Sequence, residues 1–349
     1  MSEHGLRRQH RRDWLRRRDF LSLAVGALAA PPGIAVAQQP PKQPRIAVAI
    51  PAGNPDQIVR ENGFTTWSGL LSELRRLGYV EGTNIVVERY SAEGRSERYD
   101  EFVGDIVRRA PTLILTAPNQ LALLFAKKTN TIPIVAIMAD PIAAGIVTNL
   151  AHPGSNLTGV STNFGREIWG KRLQLMKEAL PAASKIAYLA LQIASRGSPV
   201  LRPLELAGER LGLSVTPMSV AQATEAAYRE TFAAIGSGAP DAIIVSEGAE
   251  VTPHRPLIAE LAIAHRIPTM FPYRGDIERG ALMAYGGDQA ELGRRMAGQV
   301  AKILAGANPA EIPIEQANRL LFLINLRTAG AIGFIFPPAV FAQADEVIE

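Results

Sequence analysis

The sequence contains no cysteine among its 349 residues. Disulfide bonds and thiol catalysis are therefore excluded, and so is a lipid-modified cysteine as a membrane tether. Aromatic residues make up only 6% of the chain, and histidine occurs five times. Beyond the N-terminal segment only His152, His254 and His265 remain, and their spacing matches no metal-ligand motif. We therefore expect neither a metal nor any other cofactor.

The sequence also lacks the motifs of common catalytic and nucleotide-binding sites. It has no G-x-S-x-G elbow, and nothing in it suggests a serine with histidine and acid partners. Gly236-Ser237-Gly238 and Gly286-Gly287 lack the remaining glycines of a dinucleotide or P-loop signature. We assign both glycine groups to helix ends, where glycine is common. No catalytic residue is predicted.

The first 37 residues have the three zones of an export signal. A basic stretch through Arg18 is followed by an apolar stretch over 20–30 and by Ala35-Val36-Ala37. Residues 17–21, Arg-Arg-Asp-Phe-Leu, resemble the twin-arginine export motif. The apolar stretch is shorter than the roughly 20 residues that span a hydrocarbon core. We predict a signal that is cut near Ala37 after passage through the twin-arginine machinery; the alternative is an amphipathic N-terminal helix of a cytoplasmic protein.

The basic excess of the chain lies in this N-terminal segment. The whole sequence has a formal net charge of +4, with 37 basic and 33 acidic residues. The segment holds seven of the basic and three of the acidic residues, so 30 of each remain. A net charge of zero removes the electrostatic case for binding nucleic acid, which normally requires a basic face. A nucleic-acid partner is therefore not expected.

Short apolar runs alternate with amphipathic segments along the rest of the chain. Strands are predicted over 45–51, 84–89, 112–116, 132–137, 185–191, 214–218, 241–245, 268–271 and 320–324. Helices are predicted over 60–78, 96–109, 166–179, 199–211, 222–235, 254–265, 289–305 and 325–332, and from near Pro118. This alternation indicates an α/β fold with two doubly wound parallel-sheet domains and a ligand cleft between them.

Polar residues are placed where predicted strands end and helices begin. In open α/β sheets, ligands bind at these places, because helix N-termini present free N–H groups there. The candidate ligand-binding residues are Thr116, Ala117, Asn119, Asp140, Asn163, Glu247 and Tyr273. Helix capping is the alternative role, since Thr116, Asp140 and Asn163 are good N-cap residues. A ligand carboxylate would be stabilised by the backbone N–H groups and the dipole at the helix start at Thr116–Asn119, and Asp140 or Glu247 could hold an ammonium group. This pairing suits a zwitterion such as an amino acid.

Several separated motifs resemble one known family. They are Leu77-Gly78-Tyr79-Val80-Glu81-Gly82-Thr83-Asn84-Ile85, Asp140-Pro141 with Gly145 and Val147, the segment 152–160, and the segments 324–329 and 344–348. From about residue 45 to its end, the chain resembles the periplasmic substrate-binding components of ABC transporters, in the branch that includes aromatic amino-acid binders. The resemblance implies a type I periplasmic-binding-protein fold with three crossovers, and it places Thr116, Asp140 and Asn163 near the cleft. Members of the family often have an Asp-Asn pair after the strand that here ends at Val245, whereas this chain has Ser246-Glu247-Gly248-Ala249-Glu250.

The resemblance also implies a function and a division into lobes. We expect a monomeric periplasmic receptor that captures a small solute and delivers it to an ABC permease in the inner membrane. A ligand-sensing module for a membrane receptor and an exported enzyme on the same scaffold are the alternatives. After a linker over 38–44, we expect an N-terminal lobe of 45–160 and about 286–318, and a C-terminal lobe of 161–285 and about 319–349.

Overall fold

The computed structural model describes residues 43–55, 65–165, 167–192, 200–236, 238–248 and 250–349. The predicted export signal lies outside this part of the chain, as do residues 38–42 of the predicted linker. In the described residues, strands alternate with helices, and the strands form two separate β-sheets. Both sheets belong to one structural unit, residues 43–349. None of the helices in the described ranges is long and apolar enough to span a membrane.

The first sheet has six strands in the order β11-β5-β4-β3-β1-β2, and all its pairs are parallel. Its strands are β1 (Arg45–Ile50), β2 (Val86–Ser91), β3 (Leu113–Thr116), β4 (Ile134–Met138), β5 (Leu157–Ser161) and β11 (Glu315–Gln316). The helices that flank it are α1 (Thr65–Arg76), α2 (Tyr99–Arg108), α3 (Asn119–Lys128) and α9 (Gln289–Leu304). Its central strands are almost wholly buried, as expected for a parallel sheet with both faces covered. We call this sheet with its helices the first lobe.

The second sheet has seven strands in the order β13-β12-β10-β9-β8-β6-β7. Its strands are β6 (Lys185–Leu191), β7 (Ser214–Val220), β8 (Ala242–Val245), β9 (Thr269–Phe271), β10 (Met283–Gly287), β12 (Leu320–Asn325) and β13 (Glu346–Ile348). Its helices are α4 (Glu167–Ala179), α5 (Leu201–Arg210), α6 (Glu225–Ala233), α7 (Arg255–Ala264), α8 (Arg274–Glu278), α10 (Leu326–Ile332) and α11 (Pro338–Phe341). We call this sheet with its helices the second lobe. The predicted α/β class, with two wound sheets, is confirmed.

Within the described ranges, the chain passes between the sheets three times: between β5 and α4, between β10 and α9, and between β11 and β12. The last passage explains the antiparallel pairing of β12 with β10. The chain leaves the second sheet at the carboxyl end of β10, and it returns to the same edge after β11. The returning strand, β12, must therefore run in the opposite direction to its neighbour.

Sequence patterns did not predict the strands β5, β10, β11 and β13 or the helices α8 and α11, and the assignment of Gly286-Gly287 to a helix end is wrong. Both glycines are the last residues of β10. A Cβ atom on Gly286 would lie 2.0 Å from the backbone oxygen of Pro272, and one on Gly287 would lie 2.7 Å from the ring of Phe164. These glycines therefore allow close packing. Because they have no apolar side chains, they also shorten the apolar run by which a strand is recognised in the sequence.

Helices α1 and α9 pack closely because glycine faces backbone at their contact. A Cβ atom on Gly293 of α9 would lie 2.1 Å from the backbone oxygen of Thr66 and 2.6 Å from the backbone nitrogen of Leu70. From the other side, a Cβ atom on Gly69 would lie 2.9 Å from the backbone oxygen of Ala290. Since backbone cannot move aside as a side chain can, this close approach of α9 to α1 requires glycine at both positions.

We predict that Gly293→Ala lowers the free energy of unfolding by about 3 kcal/mol, because the added methyl group forces the two helices apart. Gly298→Ala is the matched control in the same helix, where a Cβ atom would meet nothing within 4 Å. This control should gain about 0.5–1 kcal/mol from helix propensity. Urea unfolding of both variants measures the difference, and equal stabilities would refute the account of this contact.

Candidate functional site

A cavity of about 380 Å³ lies between the two lobes. From the first lobe it is lined by Ile50, Pro51, Ala52, Thr66, Trp67, Ala117, Pro118, Ile137, Ala139, Gln289 and Leu292. From the passage after β5 it is lined by Thr162 and Phe164, and from the second lobe by Glu247, Thr252, Arg255, Tyr273 and Gly287. Its size falls at the lower end of the range of about 300–1,000 Å³ for small-molecule sites.

The cavity lies at the carboxyl ends of parallel strands from both sheets. Pro51 follows β1, Ala117 follows β3 and Ala139 follows β4, while Glu247 and Tyr273 follow β8 and β9. Ligands bind at this edge of open α/β sheets. Because two such edges face one cavity, a ligand inside it can contact both lobes at once.

Aromatic rings and aliphatic groups form most of the cavity wall. Trp67 comes from α1, Phe164 from the passage between the lobes and Tyr273 from the start of α8. Such rings bury large apolar areas and stack on other flat groups. Among the polar groups of the wall, the Thr66 hydroxyl and the Gln289 side-chain oxygen lie 2.5 Å apart and already bond to each other. The wall therefore suits a ligand with a sizeable apolar or aromatic part.

The predicted ligand-binding residues fall into two groups. Ala117, Glu247 and Tyr273 line the cavity, whereas Thr116, Asn119, Asp140 and Asn163 are absent from its described lining. Thr116 is fully buried, and its hydroxyl donates a hydrogen bond to the backbone oxygen of Ala49 at 3.0 Å. This bond joins the ends of β3 and β1. Contact of any of the seven with a ligand stays a prediction.

Asn119, Asp140 and Asn163 bond to one another and to the loops beside the cavity. The side-chain oxygen of Asn119 accepts a hydrogen bond from the backbone N–H of Ala139 at 2.7 Å. The side-chain amide of Asn163 donates to the Asp140 carboxylate at 2.9 Å, and that carboxylate also accepts from the backbone N–H of Ala143 at 2.9 Å. These bonds fix the loops after β4 and β5, which supply Ala139 and Phe164 to the wall.

Thr116 and Asp140 do not have the capping role that was considered for them. The N-cap of α3 is Pro118, which makes no side-chain capping bond, and the hydroxyl of Thr116 bonds to Ala49 instead. Asp140 accepts from the backbone N–H of Ala143 in a turn that is not an α-helix. Asn163 accepts from the backbone N–H of Gly165, two residues before α4 begins, and a capping role for it stays a prediction.

Arg172 and Glu247 form an ion pair behind the cavity. One Nη atom of Arg172 donates to the Glu247 carboxylate at 2.5 Å, and its Nε donates to the backbone oxygen of Tyr285 at 2.9 Å. The guanidinium also lies 4.7 Å from the ring centre of Trp169, a cation–π distance. The side chain of Arg172 is 1% exposed, whereas that of Glu247 is 39% exposed and reaches the cavity.

Arg255 is the second buried arginine of this lobe, and it lines the cavity directly. Its guanidinium lies 4.9 Å from the ring centre of Tyr273 and 3.8 Å from the Asp276 carboxylate. Burial raises the pKa of Tyr273 to about 12, and the negative charge of Glu247 adds to this rise. Burial also raises the pKa of Asp276, while the charge of Arg255 opposes it. Tyr273 is therefore neutral at physiological pH.

Sequence reasoning missed Arg172, Arg255 and Asp276. Arg172 occurs in an amphipathic helix, where a single arginine resembles an ordinary solvent-facing residue. Its partner Glu247 is 75 residues away along the chain. No local pattern indicates such a pairing. In the described ranges, no group of three histidine, aspartate or glutamate side chains is arranged to hold a metal ion.

Comparisons with known proteins assign the chain to a family. The model of the ABC transporter substrate binding protein family matches residues 56–348. A tyrosine-binding protein of Clostridioides difficile is 24% identical over 267 residues, which are 76% of this chain and 75% of that protein. The chain belongs to the family of ABC transporter substrate-binding proteins.

Solved structures resemble the fold. A conserved domain protein from Vibrio cholerae has a TM-score of 0.73 at 25% identity, over 88% of this chain and all of that one. An ABC domain from Streptococcus pneumoniae in complex with L-tryptophan has a TM-score of 0.72 at 21% identity, over the same shares. The fold is that of the type I periplasmic binding proteins, as the sequence resemblance implied.

We predict that Glu247→Gln lowers the free energy of unfolding by about 3 kcal/mol, because it leaves the buried charge of Arg172 without a counter-ion. In the double variant Arg172→Met with Glu247→Gln, no such charge remains, so at least half of the loss should be recovered. Glu311→Gln, at a carboxylate that is 72% exposed, is the control and should change stability by less than about 0.5 kcal/mol.

Denaturant unfolding of the four proteins measures these differences. If the double variant is as unstable as Glu247→Gln alone, the ion pair does not explain the loss.

Proposed function

We propose that this protein is the solute-binding component of an ABC import system and that its ligand is an amino acid with an aromatic side chain. The observation that carries the proposal is the cavity between the lobes, which joins three aromatic rings to the carboxylate of Glu247 and the guanidinium of Arg255. An amino acid has a matching set of groups: a flat apolar part, an ammonium group and a carboxylate. Two similar proteins, a tyrosine-binding protein and an ABC domain in complex with L-tryptophan, support the same ligand class.

Capture proceeds by closure of the two lobes around the ligand. Its free energy comes from contacts that exist only when both walls meet the ligand, which shifts the population toward the closed state. The closed protein then presents a changed surface to a permease in the inner membrane, which receives the solute. We place the lobe boundaries at the three chain passages, which follow Ser161, Gly287 and Gln316 and lie within about two residues of the predicted limits at 160, 285 and 318.

The protein works in the periplasm as a monomer and catalyses no reaction in this proposal. The N-terminal signal supports export through the twin-arginine machinery, with cleavage near Ala37. Membership of a solute-binding family supports a role without catalysis.

We predict that L-tyrosine, L-tryptophan or L-phenylalanine raises the midpoint of thermal unfolding. A ligand at 100 times its Kd stabilises the folded state by about 2.7 kcal/mol, which corresponds to a shift of roughly 5 °C or more for a protein of this size. Glucose and succinate are the controls, because neither has an ammonium group or an aromatic ring. If glucose or succinate raises the midpoint of thermal unfolding and no aromatic amino acid does, the proposed ligand class is excluded.

A further inference from the structure

The two lobes contribute different chemistry to the cavity. Among the described residues that line it, only Glu247 and Arg255 carry a full charge, and both belong to the second lobe. The first lobe contributes uncharged groups, of which the indole of Trp67 is the largest. A zwitterion in the cavity therefore finds the partners of both its charged groups on the same side, in the second lobe.

Glu247 and Arg255 lie close together on that side. An Nη atom of Arg255 donates to the backbone oxygen of Ser246 at 3.3 Å, and Ser246 directly precedes Glu247. A carboxylate and a guanidinium held on one short segment match the ammonium and carboxylate groups of an amino acid, which share one carbon atom. Both groups can therefore meet the two ends of a single ligand head group.

Arg255 has donor capacity that the protein does not use. Its side chain is 3% exposed, and its Nε finds no hydrogen-bond partner among the described residues. The nearest carboxylate, that of Asp276, lies 3.8 Å from an Nη atom, which is beyond ordinary hydrogen-bond length. Buried donors are normally paired, so a guanidinium that lines a cavity and makes so few hydrogen bonds within the described residues favours an anionic partner there.

The helix start at Thr116–Asn119 is less suited to a carboxylate than its sequence indicates. The hydroxyl of Thr116 is already bonded to the backbone oxygen of Ala49. Pro118, at the N-cap of α3, has no N–H to offer. Two of the groups that could receive an anion there are therefore unavailable.

We propose that the second lobe binds both charged ends of the amino acid, with Glu247 receiving the ammonium group and Arg255 the carboxylate. The first lobe then closes over the side chain of the ligand. This inference rests on the proposed function and adds the orientation of the ligand and the residues that fix it. Its consequence is an order of events in which the head group binds to the second lobe before the first lobe selects the side chain.

Arg172 is a positioning residue in this arrangement. It does not line the cavity, and its guanidinium is fixed by Glu247, by the backbone oxygen of Tyr285 and by the ring of Trp169. One oxygen of the Glu247 carboxylate is held by this contact. Arg172 thereby fixes the direction of the carboxylate, while the other oxygen stays available to an ammonium group.

The test uses two ligand analogues that each lack one charge. Isothermal titration calorimetry of the full chain measures the affinities for L-tryptophan and L-tyrosine. Two analogues of each amino acid are measured in the same way: its carboxamide, which lacks the carboxylate, and its deaminated acid, which lacks the ammonium group. The wild-type protein should prefer an amino acid to both analogues by about tenfold or more, the usual effect of a lost charged hydrogen bond.

Two double variants then separate the two charges. Arg255→Gln with Asp276→Asn removes the guanidinium without leaving a buried carboxylate unpaired, and it should reduce the preference over the carboxamide to less than threefold. Its preference over the deaminated acid should remain. Arg172→Met with Glu247→Gln should show the reverse pattern, and Arg172→Met alone should weaken the preference over the deaminated acid. Arg229→Gln, at an arginine that is 53% exposed, is the control and should keep both preferences.

This crossed pattern distinguishes recognition from damage to the fold, which would weaken all three ligands alike. The proposal is overturned if the wild-type protein binds an amino acid and its carboxamide equally well. It is also overturned if the Arg255 and Asp276 double variant keeps its full preference for the carboxylate. Wild-type protein that binds no aromatic amino acid at all overturns the proposed function itself, which is a separate and recognisable result.

Discussion

Three passages of chain connect the two sheets, and their position constrains the rest of the molecule. Each passage lies at the carboxyl ends of parallel strands, so both sheets direct those ends toward one another. The passages also contact each other: the backbone N–H of Asp288 donates to the backbone oxygen of Arg319 at 3.1 Å, and the Gln316 side chain donates to the backbone oxygen of Asn163 at 3.4 Å. A cavity at this place follows from the topology, and its chemistry follows from the residues at the strand ends.

The second lobe concentrates charge next to this cavity. Arg172 and Glu247 form one pair, and Arg255 and Asp276 form a second, looser one. Their charges sum to zero, so the site favours a ligand that carries one charge of each sign over an anion or a cation. Buried pairs of this kind contribute little net stability, because desolvation offsets most of their attraction. Their value here is the fixed placement of donors and acceptors against an otherwise apolar wall.

The sequence was sufficient to predict the fold class and part of the site. Buried strands such as β1 and β6 are apolar runs between turn residues, and this local pattern determines them. Ala117, Glu247 and Tyr273 could be placed near the cavity because they follow strands, and strand ends converge in an α/β fold. The charged network could not be predicted, since Arg172 and Glu247 meet only through tertiary packing. The strand β10 was missed because its terminal glycines serve close packing and carry no apolar side chain.

The most direct test of this account is a crystal structure of the protein grown with saturating L-tryptophan or L-tyrosine. We predict that the ligand occupies the cavity between the lobes, with its aromatic ring on the side of Trp67. Its ammonium and carboxylate groups should lie at hydrogen-bond distance, about 3 Å, from Glu247 and Arg255. An amino acid bound outside this cavity, or bound inside it with its carboxylate at the start of α3, would contradict the account.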